Sequence, residues 1–388
     1  MSRRALVAVS AALGLALVAT ACGSTEDTTQ TAQTSLGSDQ ICGKTDNSKP
    51  GYANGVAAVS GGAKTVSGAG STFVAPMMSV WSKAYSESDK VQVAYQSIGS
   101  GAGVKQISAG TVDFGASDTP MKDSELAAAK GGEILHIPLI LGGVVPTYNV
   151  KGLKAGLKFD GPTLGKIFTG QITSWDDAAL KALNPDVQLP SEPIAIAHRS
   201  DGSGTTAVWT DYLTKESPDW VEKLGAGQSQ GKEVAWPVGI GGKGNEGVSG
   251  VVGKTEGAIG YVELTYALQQ NLTYGLVKNK AGKFIQPCVD TIIAGAVGAK
   301  TPADLRTSFT DGSDPNAYPI TGTSYALVYA KQTDKAKAAA LVNFLSWVLT
   351  TGQNSATSVD FAPLQKDLQQ KSMDQVKKIT FNGAPLGS

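Results

Sequence analysis

Three short segments of the 388-residue chain place glycine beside hydroxyl side chains where strand-like sequence gives way to helix-like sequence. They are Gly68-Ala-Gly-Ser-Thr-Phe73, Ser97-Ile-Gly-Ser-Gly-Ala-Gly103 and Arg199-Ser-Asp-Gly-Ser-Gly-Thr205. Glycine lets a backbone approach closely, the hydroxyls of Ser71, Thr72, Ser100, Ser203 and Thr205 can donate, and helix N-termini add open N–H groups with partial positive charge. That chemistry suits a small tetrahedral anion. Ordinary N-capping explains any one of these residues. Three such turns in one chain suggest a cage.

The third turn adds Arg199 and Asp201. A guanidinium fork matches two oxygens of an oxyanion, and the neighbouring carboxylate can hold the fork in place. The alternative is a surface salt bridge contributing little. Thr111-Val-Asp-Phe-Gly-Ala-Ser-Asp118 ends a strand-like run in an acid. Asp118 could cap a helix. Within an anion site it would instead accept a hydrogen bond from a ligand that keeps a proton near neutral pH. Phosphate does so and sulfate does not, so a carboxylate there would reject sulfate by facing acceptor with acceptor.

Enzyme signatures are weak. Gly253-Lys-Thr255 suggests a nucleotide loop, but position 248 is valine where that loop needs glycine. With only His136 and His198, a histidine-rich metal site or triad is hard to assemble. His198 shares a strand face with Ile194 and Ile196, which favours a packing role.

The positions of these residues depend on the elements around them. Val91, Val93 and Tyr95 alternate as a strand does, and Ile194, Ile196 and His198 repeat the pattern. Met77, Val80, Trp81, Ala84 and Tyr85 form a helical stripe, as do Val208, Trp209, Tyr212 and Leu213 after Gly204. Tyr325-Ala-Leu-Val-Tyr329 reads as a strand and residues 335–349 as a helix with Leu341, Phe344, Leu345 and Val348 on one face. Strands alternating with helices predict an α/β protein with mostly parallel sheets and a ligand beyond the strand C-termini. Pro138-Leu-Ile-Leu-Gly-Gly143 and Tyr318-Pro-Ile-Thr-Gly322 are the candidate crossings between two lobes.

The first 22 residues read as an export signal, with Arg3 and Arg4, an apolar run from Ala5 to Ala19, and Thr20-Ala-Cys22. The ending resembles a lipobox and makes Cys22 a lipidation site; simple cleavage near Ala21 is the alternative. Beyond the signal, 31 basic residues face 33 acidic ones, which lacks the basic surplus of a nucleic-acid binder. Residues 23–62 are polar and read as a flexible tether, with folded sequence starting near Ala63. Cys42 and Cys288 remain as a pair, either a disulfide holding the N-terminal arm or two buried thiols.

From about Gly68 to the C-terminal region the chain resembles the phosphate-binding proteins of bacterial ABC phosphate importers. The three turns, Val112-Asp-Phe-Gly-Ala-Ser-Asp118, Ile172-Thr-Ser-Trp-Asp-Asp177, Gly241-Gly-Lys-Gly-Asn-Glu-Gly247 and Gly257-Ala-Ile-Gly-Tyr-Val-Glu263 carry the resemblance. It implies a two-lobe periplasmic-binding-protein fold with two hinge strands and a ligand cleft between the lobes. Residues 63–141 plus 318–388 would form one lobe and 142–317 the other. It further implies phosphate held by hydroxyls of Thr72, Ser100, Ser203 and Thr205 and by backbone N–H groups of Phe73, Ser100, Ser203, Gly204 and Thr205. Arg199 would supply the charge, Asp201 would brace it, and Asp118 would take the phosphate proton. No catalysis, cofactor or metal follows from it. The implied partners are phosphate, with arsenate as competitor, and permease subunits. The protein would be an exported monomer, lipid-anchored at the outer face of the cytoplasmic membrane or in the periplasm. A receptor for sulfate or molybdate, a phosphate-releasing enzyme and an adhesive surface protein are the competing readings.

Overall fold

The computed structural model describes Cys42, Gly43 and residues 54–386. The expected signal over 1–22, the lipidation site Cys22, and residues 23–41 and 44–53 of the expected tether lie outside the described residues.

Each turn joins a strand to a helix or to a functional loop. Strand β1 (Thr65–Gly70) leads into α1 (Ala75–Asp89), β2 (Gln92–Ser97) into α2 (Ser100–Ala109), and β3 (Phe114–Ser117) into Asp118 and then α3 (Asp123–Ala127). Helix α1 starts with Pro76 in its first turn, where the missing N–H costs nothing. It buries Met77, Met78, Trp81 and Tyr85, the stripe seen in the sequence. Helix α2 stops at Gly110, whose φ of 70° is the left-handed conformation that ends helices.

The long strand β4 (Ile134–Asn149) is buried along nearly its whole length. It is followed by β5 (Ala195–Arg199), α4 (Gly204–Glu216), β6 (Ile240–Gly242), α5 (Gly244–Lys254), β7 (Ala258–Glu263) and α6 (Leu264–Gln269). Strand β8 (Thr321–Tyr329) and helix α7 (Lys335–Val348) come later in the chain.

The main sheet runs in the order β2-β1-β3-β8-β4-β7-β5-β6, with Thr273–Tyr274 also paired to β4. It is mixed, not mostly parallel as the sequence predicts. Strand β1 pairs in parallel with β2 and β3, and β5 does so with β6 and β7. The central strands run antiparallel: β8 with β3 and β4, and β4 with β7. The reason is the connectivity, because β4 carries the chain out of the first lobe and β8 carries it back. Gly143 is opposite Thr321 in β8, and the next residue, Val144, is opposite Glu263 in β7. Both crossings expected from the sequence therefore meet at one level of the sheet. Aromatic packing fills the core between α4 and β7, where Trp209 stacks on Tyr261 with centroids 5.1 Å apart.

Ordered structure begins before Ala63, which corrects the expected tether boundary. The Val56 amide donates to Ser346 Oγ (3.1 Å), and Val59 exchanges hydrogen bonds with the Asn343 side chain (2.8 and 2.9 Å). Val56 and Val59 supply apolar contacts to the core in an otherwise polar stretch, which docks it along α7. Cys42 and Cys288 form a disulfide, with Cα atoms 5.9 Å apart and a sequence separation of 246. Beside it the Gly43 amide donates to Asp290 Oδ2 (2.8 Å). A cross-link closing so long a loop restricts the unfolded chain strongly. Cys42→Ser is therefore expected to lower stability by about 2–4 kcal/mol, read from guanidinium denaturation of the oxidised protein. An unchanged midpoint would show that the bridge constrains only the arm.

Candidate functional site

The three turns converge at the strand C-termini. At Gly70, φ is 144° and a Cβ would lie 2.1 Å from the Ala116 carbonyl, so only glycine fits between β1 and β3. The second and third turns touch directly: the Gly101 amide donates to the Gly202 carbonyl (2.8 Å). A Cβ on Gly99 would strike Asp201 Oδ2 at 2.3 Å, and one on Gly204 would strike Asp118 Oδ2 at 2.4 Å and Ser100 Oγ at 2.5 Å. Loops more than a hundred residues apart thus meet with no room for side chains between them.

At the centre lies Asp118, 4% exposed. Its Oδ1 accepts from Ser71 Oγ (2.5 Å) and from the Ser324 hydroxyl, and Oδ2 accepts from Ser100 Oγ (3.3 Å). It caps no helix: α3 begins five residues later, with Lys122 at its N-cap. Ser324 gave no signal in the sequence. It sits on β8 where the register with β4 shifts between Ser324 and Tyr325. Such a bulge re-aims a side chain in a way that strict alternation does not foretell.

Arg199 is the second focus. Its Nε and Nη2 donate to the two oxygens of Asp201 (2.8 and 2.6 Å), and Nη1 donates to Thr205 Oγ1 (3.3 Å). The guanidinium side chain is 1% exposed, so the pair is no surface salt bridge. Asp201 also accepts from the Gly244 amide (3.0 Å). Burial works to raise Asp201, but the Arg199 hydrogen bonds and charge, with the Gly244 amide, outweigh it and hold the carboxyl below its ordinary value.

The remaining expected residues fall in the same cluster. Ser203 caps α4 by accepting from the Thr206 amide (2.9 Å), and its own amide donates to the Lys232 carbonyl (2.9 Å). That N–H is therefore spent within the protein, which corrects its expected part in ligand binding; the hydroxyl proton remains. The amides of Ser100, Gly204 and Thr205 open their helices, where N–H groups have no intrahelical acceptor. Phe73 is fully buried and packs edge-on against Phe361 at 5.9 Å.

One further residue ties the turns together. Asn245, at the start of α5, donates to Thr72 Oγ1 and Thr205 Oγ1 through its side chain. It lies in the Gly241–Gly247 motif, which carried no assigned role. Both histidines are committed to structure. His136 Nε2 accepts from the Met121 amide (3.0 Å), and burial pushes its pKa down to about 4. His198 stacks on Trp236 with centroids 5.0 Å apart.

The cation of the cluster is paired. Arg199 is offset by Asp201, and burial pushes Glu263, at the end of β7, well above the usual carboxyl range. Attraction for an anion then falls to neutral dipoles: hydroxyls, open amides and the starts of α2 and α4. A family model described as a PBP superfamily domain matches residues 55–351. Phosphate-binding protein PstS of Xylella fastidiosa is 42% identical over 306 residues, covering 78% of this chain and 82% of that protein. The protein of the same name from Pasteurella multocida is 42% identical over 318 residues, covering 81% and 90%. The chain belongs to the PstS family. Members of this family are substrate-binding proteins, not enzymes. The solved phosphate-binding protein of Stenotrophomonas maltophilia shares the fold at 18% identity, with a TM-score of 0.60 over 80% of this chain and 94% of that one.

Burial pushes Asp118 up to about 6 from an ordinary 3.8, against the opposing hydrogen bonds of Ser324 and Ser71, the charge of Arg199 and the hydrogen bond of Ser100. A carboxyl raised on folding favours the native state at low pH. That advantage is complete below pH 3.8 and is lost as pH rises through about 6. Ligand-free protein should therefore lose about 3 kcal/mol relative to Asp118→Asn across that window, with no further change above it. Denaturation of both proteins at a series of pH values checks this; parallel curves would rule it out.

Proposed function

We propose that this protein captures inorganic phosphate outside the cytoplasm and delivers it to the permease of an ABC importer, without chemistry on the ligand. The observation that carries the reading is the buried carboxyl of Asp118 inside a cluster of anion donors. A carboxylate there repels any fully deprotonated oxyanion but accepts a hydrogen bond from one that carries a proton. Phosphate carries one near neutral pH, and the relatives named above are phosphate-binding proteins.

In this reading Thr72, Ser100, Ser203 and Thr205 donate hydroxyl hydrogen bonds. Phe73, Ser100, Gly204 and Thr205 donate backbone N–H groups. Arg199, held by Asp201, supplies the charged contact, and Asp118 takes the phosphate proton. Arsenate, with the same protons and shape, competes. Residues 63–141 with 318–388 move as one lobe and 142–317 as the other. Binding closes them, since the first and third turns reach the ligand from strands in different halves of the sheet. Two ion pairs fit this closure: Lys232 to Glu125 (2.8 Å) and Arg306 to Asp123 (2.6 Å), each joining a distant segment to α3. The protein works as a monomer on a lipid anchor at Cys22, at the outer face of the cytoplasmic membrane or in the periplasm. Among the described residues no helix is long and apolar enough to cross a membrane.

Calorimetry tests the reading. Phosphate should bind tightly, arsenate should compete and sulfate should bind weakly; tight sulfate binding would remove the role given to Asp118. Arg199→Ala leaves the half-buried Asp201 without its cation and removes the charged donor, so phosphate binding should weaken by about 2–5 kcal/mol. Unchanged affinity in that variant would place the site elsewhere.

A further inference from the structure

We infer that Asn245 is a positioning and specificity residue, which fixes the hydroxyls of Thr72 and Thr205 as donors and so dictates which phosphate oxygens they meet. This rests on the phosphate reading of the same site. A threonine hydroxyl has one proton to give and two lone pairs to receive with. At Thr72 both lone pairs are taken, because Oγ1 accepts from the Asn245 amide N–H (3.2 Å) and from Asn245 Nδ2 (2.7 Å). At Thr205 they are taken as well, because Oγ1 accepts from Arg199 Nη1 (3.3 Å) and from Asn245 Nδ2 (3.1 Å). The two hydrogens of one side-chain amide thus serve two hydroxyls, from segments 173 and 40 residues away.

The amide cannot turn over to reverse this. Its Oδ1 accepts from the Glu263 backbone N–H (2.9 Å). A flip would set NH2 against N–H on that side and leave the Glu263 amide without its acceptor. Each threonine is left with one hydroxyl proton and no acceptor for it among the described residues. Thr72 is 4% exposed, and Thr205 and Asn245 are fully buried. A buried donor without a partner is costly. The missing acceptors are bare oxygens of the bound anion. Thr72 and Thr205 can then accept nothing from the ligand, so the protonated phosphate oxygen is excluded from both positions and is left to Asp118. Asn245 acts on selectivity by orienting the ligand, without touching it.

A mutant cycle read by phosphate calorimetry separates this from a merely structural role. Asn245→Ala should weaken phosphate binding about tenfold in the wild-type background. In a Thr72→Val/Thr205→Val background, where there are no hydroxyls to direct, the same substitution should change affinity by less than about twofold. Equal losses in the two backgrounds would overturn the inference. Asn245→Asp, of the same size, turns the amide donor into an acceptor that captures the hydroxyl protons. It should lose phosphate binding while keeping its thermal melting transition, and wild-type affinity in that variant would also overturn the assignment. If the wild-type protein takes up no phosphate, the functional reading fails together with this one. Additive losses in proteins that do bind phosphate overturn the role of Asn245 alone.

Discussion

Burying a carboxyl group is expensive unless donors surround it, and the fold answers that constraint at Asp118. Its two oxygens take hydrogen bonds from Ser71, Ser100 and Ser324. These hydroxyls come from the loop after β1, the start of α2 and the middle of β8. None of the three elements can shift alone without leaving the carboxyl short of a partner. Glycine at position 204 belongs to the same requirement, since any side chain there would displace the carboxyl or Ser100.

A second consequence concerns charge. An anion site built on several cations would bind any anion of suitable size. Here one buried cation, Arg199, is held and offset by Asp201 with two hydrogen bonds. What remains are oriented neutral donors, whose directions are set by the helices they begin and by their neighbours. Discrimination then follows from which groups can donate and which can accept, and net charge plays a small part in it.

The sheet connects this chemistry to the mechanics. Strands β4 and β8 run side by side where the chain crosses between the halves, with Gly143 opposite Thr321. Ser324 lies three residues along β8 from that point and donates to Asp118. A crossing strand therefore donates to the carboxyl at the centre of the cluster, so the geometry of the crossing and that of the cluster share a hydrogen bond.

Much of this was legible in the sequence because it is local. Turn glycines, helix-opening hydroxyls, the stripe Met77–Tyr85 and the fork of Arg199 with Asp201 depend on near neighbours, and periodicity and capping expose them. Docking of Val56 and Val59 on α7 was not legible, nor was the antiparallel direction of the crossing strands, because both depend on partners far away in the chain. Ser324 was hidden by a bulge that breaks the alternation of its strand. The sequence by itself determined which groups could donate to an anion and roughly where each would stand on its own element. Only the tertiary structure decided that Asp118 is a buried acceptor and not a helix cap, that the Ser203 amide is already spent, and that Asn245 loads both threonines. The reason is that the state of a polar group depends on which distant atoms share its burial, and that is settled only when the loops close on one another.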